Sequence, residues 1–163
     1  KEFVQKREVF HLPKGHEIKG GFVRIRDESD KITMSLKIIN GNKIEDQREV
    51  CLTIDNFENA KIFLENLGCK NKAYQETKRE LYRIDDVEIT IDQWPFLEPF
   101  VEIESNSEIK VKKVAKLLGF DYTKAYFGAV DTLYAQKYNI SEEQINDKTP
   151  IIAFNKKNPF TEN

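Results

Sequence analysis

The chain has 163 residues and a mass of 19.1 kDa, with 39% hydrophobic and 33% charged residues and a mean hydropathy of -0.61. That suits one domain of ordinary size, and no run approaches the roughly 18 uncharged apolar residues of a membrane span. Lys and Arg total 26 against 28 Asp and Glu, a formal net charge of -2, so no bulk positive field draws in nucleic acid or an anionic membrane surface.

Any anion site must therefore be a local concentration of base. Two Cys (Cys51, Cys69) without CxxC spacing and two His (His11, His16) suggest neither a disulfide framework nor a His/Cys metal centre. Reduced thiols in a cytoplasmic protein are the expectation. The chain opens on Lys1-Glu2-Phe3-Val4, with no apolar signal run and no initiator Met, so further residues are expected upstream. Residues 1–163 read as one unit, since no low-complexity linker or repeat divides them; Lys156-Lys157-Asn158-Pro159 reads as a tail.

Arg7 to His11 reads as a strand. Val23 and Ile25 alternate with Phe22, Arg24 and Arg26, and Ile32, Met34, Leu36 and Ile38 alternate with Thr33, Ser35 and Lys37, the period of two half-buried strands. With Ser29-Asp30 as the turn they form a hairpin that sets Arg26 opposite Thr33, Arg24 opposite Ser35 and Phe22 opposite Lys37. The polar sides coincide. A third strand carries Val50, Leu52 and Ile54 on one side and Glu49, Cys51 and Thr53 on the other. A helix follows: Asp55 reads as its N-cap, Glu58 as the capping-box partner, Phe57, Ala60, Phe63, Leu64 and Leu67 as its apolar stripe, and Gly68 as its stop.

A second hairpin runs from Tyr74 to Ile84 and from Val87 to Asp92 around Asp85-Asp86, pairing Arg79 with Asp92 and Arg83 with Glu88. Trp94-Pro95 breaks the run and reads as a packed turn. Phe100 to Glu104 forms one more strand, with Glu102 and Glu104 on its polar side. Ser107 caps a helix weakly, because Lys110 occupies the capping-box position; Ile109, Val114, Leu117 and Leu118 supply its apolar positions before Gly119. Lys110, Lys112, Lys113 and Lys116 read as its solvated face. A last helix covers part of Ala125 to Tyr138, with Tyr122, Tyr126, Phe127, Tyr134 and Tyr138 as packing aromatics. Strands joined by tight turns with single helices between them give an α+β domain dominated by an antiparallel sheet.

The polar strand faces hold Arg24, Arg26, Lys37 and Arg79 as bases and Glu49, Asp92, Glu102 and Glu104 as acids. Such a face is either bulk-solvent surface, the commoner case for a one-sided sheet, or the lining of a polar cavity made by a curling sheet. In a cavity, converging Arg and Lys would bind a polyanion such as a triphosphate, and carboxylates would hold Mg²⁺ or Mn²⁺. No Gly-rich segment matches a P-loop or dinucleotide fold, and no Ser or Cys has the His and acid partners of a nucleophile.

The ordered set decides between these alternatives by resemblance. Gly21-Phe22-Val23-Arg24-Ile25-Arg26, Lys31 to Lys37, Gln75 to Glu80, and Val87 to Asp92 leading through Trp94-Pro95 to Phe100-Val101-Glu102-Ile103-Glu104 resemble the CYTH domain, or triphosphate tunnel metalloenzyme family, most closely its class IV (CyaB-like) adenylate cyclases. The resemblance implies an antiparallel β-barrel, the triphosphate tunnel, with helices packed outside. It implies binding of a triphosphate (ATP, inorganic triphosphate or thiamine triphosphate) with Mg²⁺ or Mn²⁺, and either cyclisation of ATP or triphosphate hydrolysis.

By the same resemblance Arg24, Arg26, Lys37 and Arg79 correspond to substrate-binding residues and Glu102, Glu104 and Glu49 to metal ligands. The second acid of the Glu49 pair is Cys51 here, and Lys78 turns outward by strand alternation. The family's first-strand E-x-E-x-K signature does not occur in these residues; the chain begins on what reads as the second strand, and the signature is expected upstream. The other reading kept from the sequence is a non-catalytic polyphosphate- or nucleotide-binding module. A bare interaction domain is a third. Self-association into a homodimer stays open.

Overall fold

The structure is a computed structural model and describes residues 1–39 and 47–161. In chain order it comprises β1 (Glu2–His11), β2 (Gly21–Asp27), β3 (Ile32–Ile39), β4 (Gln47–Ile54), α1 (Phe57–Asn66), β5 (Lys70–Ile84), β6 (Val87–Gln93), β7 (Phe100–Glu104), α2 (Glu108–Leu117), a 3-10 turn (Tyr122–Lys124), α3 (Asp131–Tyr138), α4 (Glu142–Asn146) and β8 (Ile151–Ile152). The strands lie in the order β4-β3-β2-β1-β5-β6-β7, antiparallel throughout, with β8 added parallel to β5. The fold is α+β: a curled antiparallel sheet forming a half-barrel, with four helices. The resemblance implied a closed barrel. Among the described residues β4 and β7 are instead free edges, because the sheet order does not return on itself.

Both hairpins have the register that alternation demands. Arg26 faces Thr33, Arg24 faces Ser35 and Phe22 faces Lys37, while Arg79 faces Asp92 and Arg83 faces Glu88. A one-residue slip would turn every apolar side chain to the wrong face, so the hydrophobic pattern fixes the pairing. β1 is longer than the sequence suggested and is the middle strand of the seven. It pairs locally with β2 and, across some 70 residues, with β5.

The two faces of the sheet differ in chemistry. On the convex face Phe10, Val23 and Ile25 pack with Ala60 and Leu64 of α1, and Val87 and Ile89 pack with Val114 of α2. The cap of α1 is Asn56, not Asp55: Asn56 holds an extended backbone and its side chain accepts from the Asn59 N–H at 2.8 Å. Phe63 and Leu67, read as part of the apolar stripe, lie more than half exposed, since β4 and α1 leave that side of the layer uncovered. Ser107 makes no side-chain cap bond, as the capping-box mismatch implies.

The segment read as a tail is folded. Ile152 joins β5, and Phe160 packs against Tyr134 and Tyr138, with ring centroids 5.1 and 5.2 Å away. The polar Lys156 to Pro159 stretch is the turn that delivers Phe160. Trp94, Leu97, Tyr134, Ile145 and Ile152 form this second core. Phe96 sits at φ 68, a left-handed conformation strained for an aromatic residue. Two hydroxyls hold the turn: Tyr134 donates to the Pro95 carbonyl and Tyr138 to the Phe96 carbonyl, each at 2.6 Å. Tyr134 is fully buried, so Tyr134→Phe leaves a buried carbonyl without its donor. The expected loss is about 1–3 kcal/mol in urea denaturation, against no change if water replaces the hydroxyl. No described helix is long and apolar enough to cross a membrane.

Candidate functional site

Strand alternation gathers the polar side chains on the concave face. β1 contributes Gln5 and Arg7, β2 Arg24 and Arg26, β3 Ser35 and Lys37, β4 Glu49 and Cys51, β5 Thr77 and Arg79, β6 Thr90 and Asp92, and β7 Glu102 and Glu104. The middle strands carry the cations and the outer strands the carboxylates.

On one flank Glu49 pairs with Lys37 at 3.2 Å and with Arg24 at 3.5 Å. Burial opposes ionisation of Glu49, but a hydrogen bond from Ser35 and the charges of Lys37 and Arg24 hold its carboxyl below the ordinary value. Arg24 and Arg26 are mostly buried, with side chains 14% and 22% exposed. Burial first, and the Arg26 charge second, push Arg24 down to about 10. Glu28, at the end of the β2–β3 hairpin, accepts from Arg26 at 3.3 Å and from Gln5 at 3.1 Å.

On the other flank Arg79 grips Asp92 with two hydrogen bonds, the Nε one at 2.7 Å, and reaches Glu102 at 3.0 Å. Asp92 has no exposed surface. Burial works against Arg79, yet Asp92 and Glu102 raise its pKa overall. Glu102 is raised by burial first and by the charge of Asp92 second, the two carboxyls lying in hydrogen-bond contact.

Between the flanks lies Arg7, 9% exposed. Its guanidinium stacks on the Trp94 indole at 4.4 Å and donates to Thr77 Oγ1 at 2.8 Å and to the Gln5 side-chain oxygen. The Nε atoms of Arg7, Arg24 and Arg26 are buried and have no hydrogen-bond partner among the described residues. Three guanidinium groups buried so close together are costly charges, a cost that an anion bound at their exposed nitrogens would offset.

The structure thus assembles Arg24, Arg26, Lys37 and Glu49 on one flank and Arg79 and Glu102 on the other. It does not assemble the expected metal trio. Glu49 lies on one edge strand, engaged by Lys37 and Arg24, while Glu102 and Glu104 lie on the opposite edge. Glu104 is set beside Glu88 by register and joins no ion pair among the described residues. No group of three or more potential ligand side chains gathers among the described residues. The carboxyl that does meet Glu102 is Asp92. Sequence reasoning placed Asp92 on the polar face but gave it no role, and it missed Gln5, Arg7, Glu28 and Thr77. The alternation of Gln5 and Arg7 around the exposed Lys6 was the available signal. Lys78 turns outward, over the Phe154 ring at 4.8 Å, as alternation requires.

The family model described as the CYTH domain matches residues 2–133. The chain belongs to the CYTH domain family. The second core around Tyr134, Tyr138 and Phe160 is mostly built from residues beyond that match. Among solved structures, a conserved hypothetical protein from Pyrococcus furiosus is 25% identical with a TM-score of 0.59, covering 77% of this chain and 79% of that one. A Pyrococcus horikoshii protein is 19% identical with a TM-score of 0.60 over the same shares. A candidate adenylate cyclase from Vibrio parahaemolyticus is 14% identical with a TM-score of 0.62, covering 83% of this CYTH chain and 85% of its own. These structures share the fold. No curated protein matches the chain in sequence.

Proposed function

We propose that this CYTH domain is a divalent-metal-dependent enzyme that binds a triphosphate on the concave face and either cyclises ATP to cyclic AMP and pyrophosphate or hydrolyses the triphosphate. The observation that carries the reading is the convergence of Arg7, Arg24, Arg26 and Lys37 on the concave face with the β7 carboxylates Glu102 and Glu104 on the same face. Arg forks match phosphate oxygens in pairs, and Lys37 adds a point charge. In this reading Arg24, Arg26 and Lys37 hold the phosphates from one flank and Arg79 from the other. They neutralise charge that builds on the bridging oxygen as the P–O bond breaks, when the attacking oxygen is a ribose 3′-hydroxyl or a water.

The CYTH family implies a divalent cation, and Glu102 and Glu104, carboxylates on one face of β7, fit one, since Mg²⁺ and Mn²⁺ take carboxylates together with substrate phosphates. Those two residues would hold it, and it would polarise the phosphoryl oxygens. Asp92 is buried with both oxygens engaged by Arg79 and is not available to the cation.

One observation favours the non-catalytic binding module. Glu49 is committed to Lys37 and Arg24, at the edge opposite Glu102, which leaves fewer carboxylates for a cation. Product analysis by ion-exchange chromatography separates the readings, with ATP, inorganic triphosphate or thiamine triphosphate supplied in Mg²⁺ or Mn²⁺. Cyclic AMP with pyrophosphate identifies the cyclase and orthophosphate the hydrolase. Glu102→Gln should lower kcat at least roughly 100-fold with tripolyphosphate affinity in the absence of metal nearly unchanged. Binding without any product would establish the module.

A further inference from the structure

Arg7 differs from the other cations of the concave face in having no carboxylate in contact among the described residues. Arg24 has Glu49, Arg26 has Glu28, Lys37 has Glu49 and Arg79 has Asp92 and Glu102. Arg7 has neutral partners only, Gln5 and Thr77, and an aromatic face beneath it. It is more than nine-tenths buried, its Nε is unpartnered among the described residues, and burial together with the charges of Arg26, Arg24 and Arg79 outweighs the opposing charge of Asp92 and lowers its pKa well below the ordinary value. A charge so placed destabilises the empty domain. Trp94, held by the Tyr134 and Tyr138 bonds to its turn, fixes the guanidinium plane by a cation–π stack.

Position adds the second argument. Arg7 stands on the central strand, with Arg26 opposite it on β2 and Gln75 opposite it on β5; its guanidinium reaches along β5 to Thr77, two residues from Arg79, which itself stands opposite Phe3. Neighbouring strands lie about 4.8 Å apart, so β2 and β5 are separated by roughly 10 Å. An anion that engages both Arg26 and Arg79 runs diagonally between them, along the Arg7 side chain that reaches toward Thr77. One phosphate occupies a single flank, whereas linked phosphates reach both.

Building on the concave face as a polyphosphate site, we infer that Arg7 is a specificity-determining residue. It carries the middle of a linear polyphosphate and makes the domain select chains of phosphate over single phosphates. Gln5 and Thr77 orient the fork by accepting from one of its Nη nitrogens, which leaves the other Nη for the ligand.

The test is a ladder of dissociation constants for orthophosphate, pyrophosphate and tripolyphosphate, measured by calorimetry without metal on wild type, R7Q and R7K. Trp94, the only tryptophan of the chain, gives a fluorescence signal at Arg7 itself. Wild type should show a steep ladder and a Trp94 change with tripolyphosphate. In R7Q tripolyphosphate should weaken roughly 10- to 100-fold, the worth of one charge-assisted fork, while orthophosphate changes less than about 3-fold. R7K, which keeps the charge without the fork, should fall between. A ladder in R7Q as steep as in wild type, or an equal loss for all three anions, overturns the assignment and leaves the polyphosphate site standing. If R7Q melts more than about 5 °C below wild type, R7K gives the reading, and a wild-type ladder there overturns it. A wild type that binds tripolyphosphate no better than orthophosphate overturns the site itself along with Arg7.

Discussion

Arg79→Ala should cost the domain about 3–5 kcal/mol of stability, the largest single effect expected from any residue of the concave face. Its partner Asp92 has no exposed surface, and Arg79 supplies both of its charged hydrogen bonds while also reaching Glu102. Deleting the guanidinium leaves a buried carboxylate without a cation, in contact with a second carboxyl. The penalty is the desolvation of a stranded charge, so it need not match the net worth of the pair. Asp92→Asn should cost less, because Glu102 still faces Arg79. The double variant R79A/D92N should recover part of the R79A loss, a coupling that a double-mutant cycle in urea reads directly. Arg79→Lys restores charge but cannot form the two-pronged grip, and should fall between. A loss under about 1 kcal/mol for R79A would mean that water already serves Asp92.

Arg24→Gln should have the opposite sign on the empty protein. Burial and Arg26 push Arg24 down to about 10. A base with a lowered folded pKa holds its proton less tightly folded than unfolded, so its charge costs stability at neutral pH. The cost is relieved as pH rises through about 10, where the folded state releases the proton first. R24Q removes that cost, since Glu49 retains Lys37. The empty variant should therefore be as stable as wild type or more so at pH 7, with any excess shrinking above pH 10. Tripolyphosphate affinity should fall roughly 10- to 100-fold. Wild type should gain about 2.7 kcal/mol at 100 times the dissociation constant, while R24Q at the same ligand concentration gains much less. Calorimetry and melting curves with and without tripolyphosphate check both halves. Equal ligand-induced shifts in the two proteins would remove Arg24 from the site.

These opposite signs separate residues that hold the fold from residues that wait for a ligand, and the sequence could not make that separation. Alternation placed Arg24, Arg26, Lys37, Arg79, Glu49, Glu102 and Glu104 on one face because a strand has a period of two. It also set both hairpin registers, since tight turns leave little choice. What alternation lacks is the order of strands that are not sequence neighbours. Without the β1–β5 pairing, Arg7 had no place in the middle of the face, and Glu49 could be grouped with Glu102 although they stand on opposite edges. The burial of Asp92, the Trp94 stack beneath Arg7 and the packing of Phe160 likewise arise from contacts between distant segments. The resemblance supplied the choice of a cavity for the polar face, which pattern alone left open between solvent and cavity.

The β1–β5 junction has a consequence for how the domain folds. The chain divides into two meanders, β1 to β4 and β5 to β7, each joined by neighbours in sequence and each able to form from short-range contacts. Among the seven antiparallel strands only the seam between them, from Glu2 opposite Glu80 to His11 opposite Lys70, demands that distant parts of the chain find one another. For the antiparallel sheet the entropy of loop closure is therefore concentrated in one docking step. The charged groups divide along the same line, with Arg24, Arg26, Lys37 and Glu49 on one meander and Arg79, Asp92 and Glu102 on the other. The event that completes the topology is the event that brings the two flanks of the site face to face.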